Sequence, residues 1–277
     1  MTTQPTTEEI TAYLAEDVGS GDVTASIISE STQATALVTT REAMILCGQE
    51  WFNAVFRQLS QRIAIEWFCK EGDDVTANTK LCRLHGPARA LLTGERTALN
   101  LLQTLSATAT TARRYAKAVE GTGCKVLDTR KTLPGLRLAQ KYAVKCGGCV
   151  NHRIGLFDAV LIKENHILAA GSIGAAIRRA RETTDVLVEI EVESLTELQE
   201  ALTAKPDRIM LDNFSLDDLR RAVALKQGAV ELEASGNINL ENIRSVAETG
   251  VDYISIGALT KNVSAIDLSM RIELLTV

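Results

Sequence analysis

A repeating pattern of strand and helix after Gly123 constrains the fold of this chain more than any other feature of the sequence. Short apolar runs recur at intervals of roughly twenty to thirty residues with helical patterns between them, which is typical of successive βα units and a parallel sheet. The predicted strands are 125–129, 159–163, 186–192, 208–211, 230–234 and 253–256. The predicted helices include 173–182, 195–204, 216–225 and 240–249.

The first part of the chain has a different pattern. Thr6 and Glu9 have the spacing of a capping box, which predicts a short helix ending near Gly19. Short β-like runs follow at 34–39, 44–47, 63–68 and 80–84, with a helix near 50–60. From Glu95 to Glu120, apolar residues at helical spacing predict a helix that joins two domains.

These patterns define the predicted fold class. No glycine motif of Rossmann or P-loop type opens any helix of the repeating half, so a barrel is favoured over a doubly wound sheet. The sequence predicts an α/β protein with a C-terminal open or nearly closed α/β barrel and a smaller N-terminal α+β sandwich domain. We place the N-terminal domain, with its linker helix, at 1–108 and the barrel at 109–277, with allowance for the last few residues to return to the first domain.

Charge and composition exclude several classes of function. The net charge is −5 and the isoelectric point is near 5.4, so the chain has no overall basic field for nucleic acid or an anionic membrane. The start of the chain lacks the pattern of a secretory leader, and no apolar run is long enough to span a bilayer. We therefore expect a cytoplasmic protein that binds neither nucleic acid nor membrane, and whose six cysteines are reduced thiols.

Almost every predicted barrel strand delivers a charged or hydrogen-bonding residue to its C-terminal end. Because the βα loops of a barrel converge on one mouth, these groups should face a single polar site. Several of these groups are basic: they follow the first two predicted strands or lie in the segment that precedes the second strand. This clustering of basic residues indicates that the site binds a polyanion. They are Arg130, Lys131, His152, Arg153 and Lys163.

Carboxylates and glycines follow the later strands. Glu191 and Asp212 suit ribose hydroxyls or a magnesium ion bound to phosphate oxygens, since Mg²⁺ usually takes only one or two protein carboxylates. Two glycine-containing loops let backbone amides approach a ligand at the usual phosphate position of α/β barrels. These loops contain Ser235, Gly236 and Asn237, and Gly257.

Several motifs carry a resemblance to a known family. Three lie in the repeating half: DTRKTLPGLR at 128–137, NHRIGL at 151–156 and LIKENHI at 161–167. Further matches are GDVT at 21–24, GERT at 94–97, MLDNF at 210–214 and EASGN at 233–237. Together they span nearly the whole chain in the family's order, and the chain resembles quinolinate phosphoribosyltransferase, the carboxylating nicotinate-nucleotide pyrophosphorylase.

The resemblance implies an enzyme of NAD biosynthesis that joins quinolinate to phosphoribosyl pyrophosphate and releases pyrophosphate and carbon dioxide. It implies a homodimer with interface active sites, and Mg²⁺ bound through the pyrophosphate and by Glu191 and Asp212. The implied quinolinate-binding residues are Arg130, His152, Arg153 and Lys163, with Arg96 contributed by the partner subunit. The implied phosphoribosyl pyrophosphate-binding residues are Lys131, Glu191, Asp212, Ser235, Gly236, Asn237 and Gly257. Those implied to be catalytic are Lys131, Lys163, Glu191 and Asp212.

Some features leave other interpretations open. Cys146 and Cys149 precede His152 at a spacing compatible with a zinc or redox site, although no second ligand pair accompanies them. Lys163 at a strand end is also compatible with a Schiff-base lysine. Two alternative functions remain: a related phosphoribosyltransferase with another acceptor, of the type associated with molybdate transport, and a non-catalytic phosphosugar-binding protein.

Two local expectations concern backbone and side-chain direction. The family's glycine-rich turn has Cys149 in place of a third glycine, which would strain the backbone if that position needs positive φ. Strand alternation is expected to turn Glu193 away from Glu191. His85 and His166 are expected to be structural.

Overall fold

The computed structural model describes residues 4–226 and 228–275, which form two structural units. The first unit contains the residues up to Thr111, Lys145–Gly147 and the residues from Asn262 onward. The second unit contains Ala112–Val144 and Gly148–Lys261. Among the described helices, none has both the length and the apolar character that crossing a membrane requires.

Helix α1 (Thr7–Val18) begins and ends where the sequence predicts. The Thr6 hydroxyl accepts from the Glu9 N–H at 3.1 Å, and the Glu9 carboxylate accepts from the Thr6 N–H at 2.8 Å. This reciprocal pair is a capping box, which satisfies two amides that the first turn leaves unpaired. The helix is capped at its C-terminal end by Gly19, whose φ of 52° an L side chain rarely adopts.

Short strands, a second helix and the start of a long helix make up most of the first unit. They are β1 (Gln33–Thr40), β2 (Met44–Ile45), α2 (Gln49–Leu59), β3 (Ala64–Trp67), β4 (Asp74–Val75), β5 (Lys80–Pro87) and α3 (Ala88–Ala118). A 3₁₀ turn at Ala25–Ile27 precedes β1. In β1 every second residue is buried, because one face of the strand lies in the core of the unit.

Helix α3 begins seven residues before the predicted start at Glu95. Gly94 lies in its first turns, where glycine usually weakens a helix, and this explains why the pattern favoured a later start. The tertiary structure gives the reason for the glycine. A Cβ atom at Gly94 would lie 2.7 Å from Cε1 of Phe56 and 2.7 Å from Cδ1 of Leu59, both on α2.

Replacing Gly94 with alanine should therefore destabilise the first unit by about 1–3 kcal/mol, because the added methyl group overpacks a filled interface. The measurement is the midpoint of urea unfolding. Gly174→Ala is the matched control: this helical glycine has no heavy atom within 4 Å of the added Cβ, so alanine should stabilise by up to about 1 kcal/mol. Equal midpoints for the two variants would contradict the packing argument.

The second unit alternates parallel strands with helices. Its elements are β6 (Lys125–Leu127), α4 (Arg137–Cys146), β7 (Val160–Ile162), α5 (Glu164–Ala170), α6 (Ile173–Thr183), β8 (Val188–Val192), α7 (Leu195–Ala204), β9 (Arg208–Asp212), α8 (Leu216–Leu225), β10 (Glu231–Ser235), α9 (Ile243–Ala247), β11 (Tyr253–Ser255) and α10 (Ala258–Lys261). Helices α7 and α8 have the predicted bounds, whereas α9 is shorter than the predicted 240–249.

The last described strand is β12 (Leu268–Leu274), which belongs to the first unit. It pairs antiparallel with β1 in a four-stranded sheet of order β12-β1-β5-β3. A separate two-stranded ribbon joins β2 and β4. The last described residues therefore return to the N-terminal unit.

The sheet of the second unit is an open barrel. Its six strands run parallel in the order β6-β11-β10-β9-β8-β7, and a single bridge adds Val150 beside Leu127. Within the described residues, no ladder joins β6 to β7, so the strands do not close into a complete ring. The predicted fold class, an open or nearly closed barrel with a smaller N-terminal α+β domain, is confirmed.

Side-chain alternation gives this barrel a polar interior. On one face, apolar residues such as Ile190, Leu211 and Leu232 belong to the core cluster that packs with the helices. The other face carries charged residues, including the buried Glu189 and Glu233. Barrel interiors are usually filled by branched apolar side chains. Here the interior is instead continuous with a polar site at the C-terminal strand ends.

Candidate active site

A cavity of about 380 Å³ lies at the C-terminal ends of the barrel strands, and all of its lining residues belong to the second unit. It brings together eight of the residues that the sequence predicted: Arg130, Lys131, His152, Arg153, Lys163, Glu191, Asp212 and Ser235. Five further lining residues were not predicted: Thr129, Leu161, Met210, Glu233 and Ser255. Cations and carboxylates thus face one space, as the strand ends indicated.

The predicted loop residues lie next to this lining. Gly236 has a φ of +94°, and a Cβ there would lie 2.9 Å from the backbone nitrogen of Asn213. Asn237 donates from Nδ2 to Oδ1 of Asn213 at 3.2 Å, so the loops after β9 and β10 are tied together. A Cβ at Gly257 would lie 3.2 Å from Cδ of Lys131. Glycine is therefore required at position 236, whereas an added Cβ at position 257 would need only a small shift of the flexible Lys131 side chain.

Arg96 differs from the other predicted site residues. It lies on α3 in the first unit, and its side chain is exposed. The prediction that it acts across a subunit interface stays a prediction.

At the mouth, Lys163 forms an ion pair with Glu191 through Nζ and Oε2. Lys163 is half exposed, whereas Glu191 is only 15% exposed, so the lysine can exchange this partner for a ligand anion. Nδ1 of His166 accepts the backbone N–H of Lys163 at 3.0 Å. His166 therefore orders the start of α5, which agrees with its predicted structural role.

The expected direction of Glu193 is wrong. Carboxylate oxygens of Glu191, Glu193 and Asp212 all lie within 4.8 Å of one another. Alternation has a period of two, so residues two apart share a face, and Glu193 follows Glu191 on the same side. Three carboxylates in this arrangement provide the hard oxygen ligands that Mg²⁺ prefers.

A buried ion pair anchors the segment that carries His152 and Arg153. Nζ of Lys141 lies 2.5 Å from Oδ1 of Asp128, and neither side chain is exposed. Asp128 also accepts the backbone N–H of His152 at 2.9 Å and Nδ2 of Asn151 at 2.6 Å. Burial raises the pKa of Asp128 while the Lys141 charge opposes this shift, so the pair depends on both partners. Sequence reasoning missed Lys141.

Asp128→Ala should destabilise the second unit by about 3–5 kcal/mol, because it leaves a buried ammonium without a counter-ion. It should also abolish ligand binding in the cavity, since the Asn151–Arg153 segment loses its anchor. Thermal unfolding and calorimetric titration measure the two effects. Asp217→Ala removes an exposed partner of Arg220 and serves as the control, with an expected change below about 1 kcal/mol. A difference of less than 1 kcal/mol between the variants would refute the anchoring role.

The glycine-rich turn forms without strain at Cys149. Gly148 has the positive φ, +96°, and Cys149 is not among the described residues with positive φ. The Cys149 thiol donates to the carbonyl oxygen of Ala112 at 3.2 Å, whereas the Cys146 thiol donates to that of Leu46 at 3.9 Å. The two cysteines thus contact different partners, and the described residues give no metal-ligand group that contains both.

A cluster of buried charges lies in the barrel interior, and one of its members, Glu233, also lines the cavity. Glu189, Arg208 and Glu233 come from the adjacent strands β8, β9 and β10, and each is at most 9% exposed. Nη1 of Arg208 lies 3.4 Å from Oε2 of Glu233, and Nε2 of His152 lies 2.8 Å from Oε2 of Glu189. Sequence reasoning missed this cluster. The glutamates at alternate positions of buried strands, in VEIEV and ELEAS, were the signal that could have found it.

The protonation of Glu233 makes a pH-dependent contribution to stability. Burial, followed by repulsion from Glu189, raises the pKa of Glu233 from 4.5 to about 8. A carboxyl group with a higher pKa in the folded state binds its proton more tightly there, so its contribution is present at low pH and is lost as pH rises through about 8.

Glu233→Gln should therefore gain stability relative to the unsubstituted protein as the pH rises from 5 to 8.5. The gain should exceed about 1 kcal/mol, because one pKa unit corresponds to about 1.4 kcal/mol. Urea unfolding at several pH values measures it, with Glu231→Gln on the same strand as the control. If the free energies of unfolding of Glu233→Gln and of the unsubstituted protein changed in parallel across this pH range, the raised pKa assigned to Glu233 would be contradicted.

Fold and site together define the class of protein: a two-domain α/β-barrel enzyme with a cavity lined by charged residues at the strand ends. Family models agree. The model "Quinolinate phosphoribosyl transferase, C-terminal domain" matches residues 108–271, and the corresponding N-terminal domain model matches residues 22–106. The chain belongs to the quinolinate phosphoribosyltransferase family, which confirms the resemblance seen in the sequence.

Individual relatives cover almost the whole chain. The chain is 41% identical over 264 residues to a "probable nicotinate-nucleotide pyrophosphorylase [carboxylating]" of Bacillus subtilis, covering 95% of this chain and 91% of that protein. A Mycobacterium leprae relative, "nicotinate-nucleotide pyrophosphorylase [carboxylating]", is 39% identical, with 95% of each chain covered. The solved structure of the nicotinate-nucleotide pyrophosphorylase from Francisella tularensis is 48% identical, with a TM-score of 0.94 and 98% of each chain covered.

Proposed function

We propose that this protein transfers the phosphoribosyl group of phosphoribosyl pyrophosphate to quinolinate, with loss of carbon dioxide, giving nicotinate mononucleotide and pyrophosphate. The protein is a pentosyltransferase of NAD biosynthesis, as its family and its relatives' names indicate. One observation carries the proposal: four cations converge with three carboxyl groups in one cavity at the strand ends. A dicarboxylate and a sugar diphosphate together require this combination of charges.

The basic side of the cavity is proposed to bind quinolinate. Arg130, Arg153 and Lys163 line it and can pair with the two carboxylates of the pyridine ring. Nε of Arg130 is buried and has no hydrogen-bond partner among the described residues, so it is available to a ligand. His152 lies at the floor of the same cavity.

The adjoining part of the cavity is proposed to bind phosphoribosyl pyrophosphate. Lys131 would contact the pyrophosphate, while Glu191 and Asp212 would contact the ribose and a magnesium ion held by the pyrophosphate. Glu193, which lies beside them, is a further candidate ligand for that ion. The proposed 5′-phosphate site consists of Ser235, Gly236, Asn237 and Gly257.

This arrangement suits the chemistry of the transfer. As pyrophosphate leaves, the anomeric carbon becomes cation-like, so Glu191 and Asp212 stabilise it while Lys131 stabilises the leaving group. Bound Mg²⁺ would add positive charge at the pyrophosphate. The pyridine nitrogen then bonds to the anomeric carbon. Once Arg130 and Arg153 have oriented the ring, the bond between C2 and its carboxylate breaks and carbon dioxide leaves. The electron pair of that bond stays on C2 of the positively charged ring, and C2 then takes a proton from water to give nicotinate mononucleotide.

A homodimer is part of the proposal. The exposed position of Arg96 on α3 is compatible with a role in the partner's site, where it would add a further cation for quinolinate. The cytoplasmic location remains a prediction from the sequence.

An assay of the purified protein tests the proposal. Quinolinate, phosphoribosyl pyrophosphate and Mg²⁺ are supplied, and nicotinate mononucleotide, pyrophosphate and carbon dioxide are quantified, with nicotinate as a parallel acceptor. Equal yields of the three products from quinolinate alone are expected. Turnover of nicotinate would favour the alternative with another acceptor, and binding of phosphoribosyl pyrophosphate without turnover of either would favour the non-catalytic alternative.

A further inference from the structure

The loop that carries Arg130 and Lys131 belongs to no helix or strand. It comprises residues 129–136, between β6 and α4, so its backbone groups depend on other partners for their hydrogen bonds. At Lys131 these partners are two hydroxyl groups. The Thr129 hydroxyl accepts the N–H of Lys131 at 3.1 Å, and the Thr260 hydroxyl donates to its carbonyl oxygen at 2.8 Å. The Lys131 residue is exposed, yet its main chain is held on both sides.

Thr260 belongs to a buried hydrogen-bonded pair. It lies in α10 and is 0% exposed, as is Gln140 of α4. Nε2 of Gln140 donates to the carbonyl oxygen of Thr260 at 2.8 Å, and Oε1 accepts the backbone N–H of Leu133 at 2.8 Å. The pair therefore holds the loop at two points, the Lys131 carbonyl group and the Leu133 amide.

This network also fixes Lys131 relative to Gly257. Helix α10, which contains Thr260, begins directly after this glycine. A Cβ at Gly257 would lie 3.2 Å from Cδ and 3.9 Å from Nζ of Lys131, so the lysine side chain passes over the glycine. Lys131 is assigned to the pyrophosphate and Gly257 to the 5′-phosphate. Thr260 thus joins the segments that are assigned to the two ends of phosphoribosyl pyrophosphate.

Burial makes this pair stable only while its hydrogen bonds are complete. A hydroxyl group and a carboxamide that water does not reach would be unsatisfied if either lost its partner, and such a loss is costly. Apolar side chains could fill the same volume without this requirement. What the polar pair adds is a defined position for the loop, because hydrogen bonds have direction and apolar contacts do not.

We propose that Thr260 and Gln140 are positioning residues for phosphoribosyl pyrophosphate: they hold the loop so that the ammonium group of Lys131 lies at the pyrophosphate site. The inference rests on the function proposed above. Neither residue lines the cavity, whereas Lys131 does, so both act through Lys131 and not by contact with the ligand. A shift of about 1 Å in a binding group can cost about 100-fold in rate, so anchors remote from the ligand affect its binding.

Two substitutions at Thr260 separate the hydroxyl group from the shape of the side chain. Thr260→Val keeps the shape but leaves the Lys131 carbonyl group without its donor, so the KM for phosphoribosyl pyrophosphate should rise about tenfold or more. Thr260→Ser keeps the hydroxyl group, and this KM should stay within about threefold of the original value. The KM for quinolinate should change by less than about threefold in both variants, because the Thr129 hydroxyl still holds the peptide group between Arg130 and Lys131.

Thr249→Val is the matched control. The Thr249 hydroxyl is also buried and also donates to a backbone carbonyl oxygen, that of Val246 at 2.7 Å, but this bond is local to the end of α9. Both KM values should therefore stay within about twofold. An equal rise in the KM for phosphoribosyl pyrophosphate in Thr249→Val and Thr260→Val would overturn the proposal, as would the same rise in Thr260→Ser.

Amide hydrogen exchange of the free protein tests the anchoring without any substrate. Gln140→Met keeps a similar volume but removes the hydrogen bonds to Leu133 and Thr260, so a peptide that covers the loop should exchange about tenfold faster or more. Mass spectrometry measures the exchange. Thr260→Val should accelerate the same peptide, whereas Thr249→Val should leave it unchanged. Unchanged exchange of this peptide in both Gln140→Met and Thr260→Val would overturn the proposal.

The outcomes separate this inference from the proposed function. No turnover of quinolinate by the unsubstituted protein would contradict the proposed function, while hydrogen exchange would still show whether Thr260 and Gln140 hold the loop. Normal turnover with equal rises in both KM values of Thr260→Val would refute the positioning role alone. If Thr260→Val does not fold, Gln140→Met decides, because it removes the second anchor of the same loop and should raise the same KM.

Discussion

Arg130→Ala should weaken quinolinate binding about 100-fold or more, because hydrogen bonds to a charged group each contribute about 1.5–3 kcal/mol and the guanidinium can form two. Phosphoribosyl pyrophosphate binding should change by less than about threefold, since Arg130 is assigned to quinolinate alone. Calorimetric titration of each substrate measures the two effects separately.

Lys131→Ala is the matched variant, because it removes a cation from the adjacent position in the same cavity. Its assigned partner is the pyrophosphate, so the selectivity should reverse: phosphoribosyl pyrophosphate binding falls about tenfold or more and quinolinate binding is largely retained. If both variants weakened both ligands equally, the division of the cavity into two sides would be wrong, and general loss of positive charge would explain the data.

Mixing two inactive variants should restore about one quarter of the original activity. In a symmetric dimer whose sites each combine Lys163 of one subunit with Arg96 of the other, both substitutions fall in the same site of the mixed dimer, so that its other site is intact. Random exchange makes about half of the dimers mixed. The measurement is quinolinate turnover after subunit exchange, with exchange confirmed by mass spectrometry of differently labelled chains.

Arg114→Ala provides the control for this experiment, because Arg114 is another exposed arginine of α3. It should be fully active by itself, which would show that loss of a surface charge on this helix does not impair the enzyme. Complete exchange without recovered activity would show that Arg96 and Lys163 serve the same subunit.

Sequence patterns predicted correctly those elements whose structure depends on interactions between residues close together in the chain. The capping box at Thr6 predicted the start of α1, and clear helical periodicity gave α7 and α8 their observed bounds. Gly94 shows the opposite case. Glycine is unfavourable inside a helix, but the contact with Phe56 on α2 explains why a glycine lies there. A glycine is needed at position 94 because of a contact between residues far apart in the sequence, and no local sequence pattern reveals such a contact.

The same division applies to the site. Charged residues at the strand ends predicted the cavity, because parallel strands necessarily bring their C-terminal ends together. The partners of those residues were not predictable. Lys141 appears in the sequence as an ordinary helical lysine, and only folding buries it against Asp128.

By itself, the sequence determined the repeating βα order, the family and the eight predicted residues that line the cavity, because period and motif are properties of neighbouring positions. Tertiary structure alone decided the polar barrel interior and the contact of His152 with Glu189 and Glu233. These residues come from separate segments of the chain, and their burial, which sets their protonation, exists only when the strands are side by side.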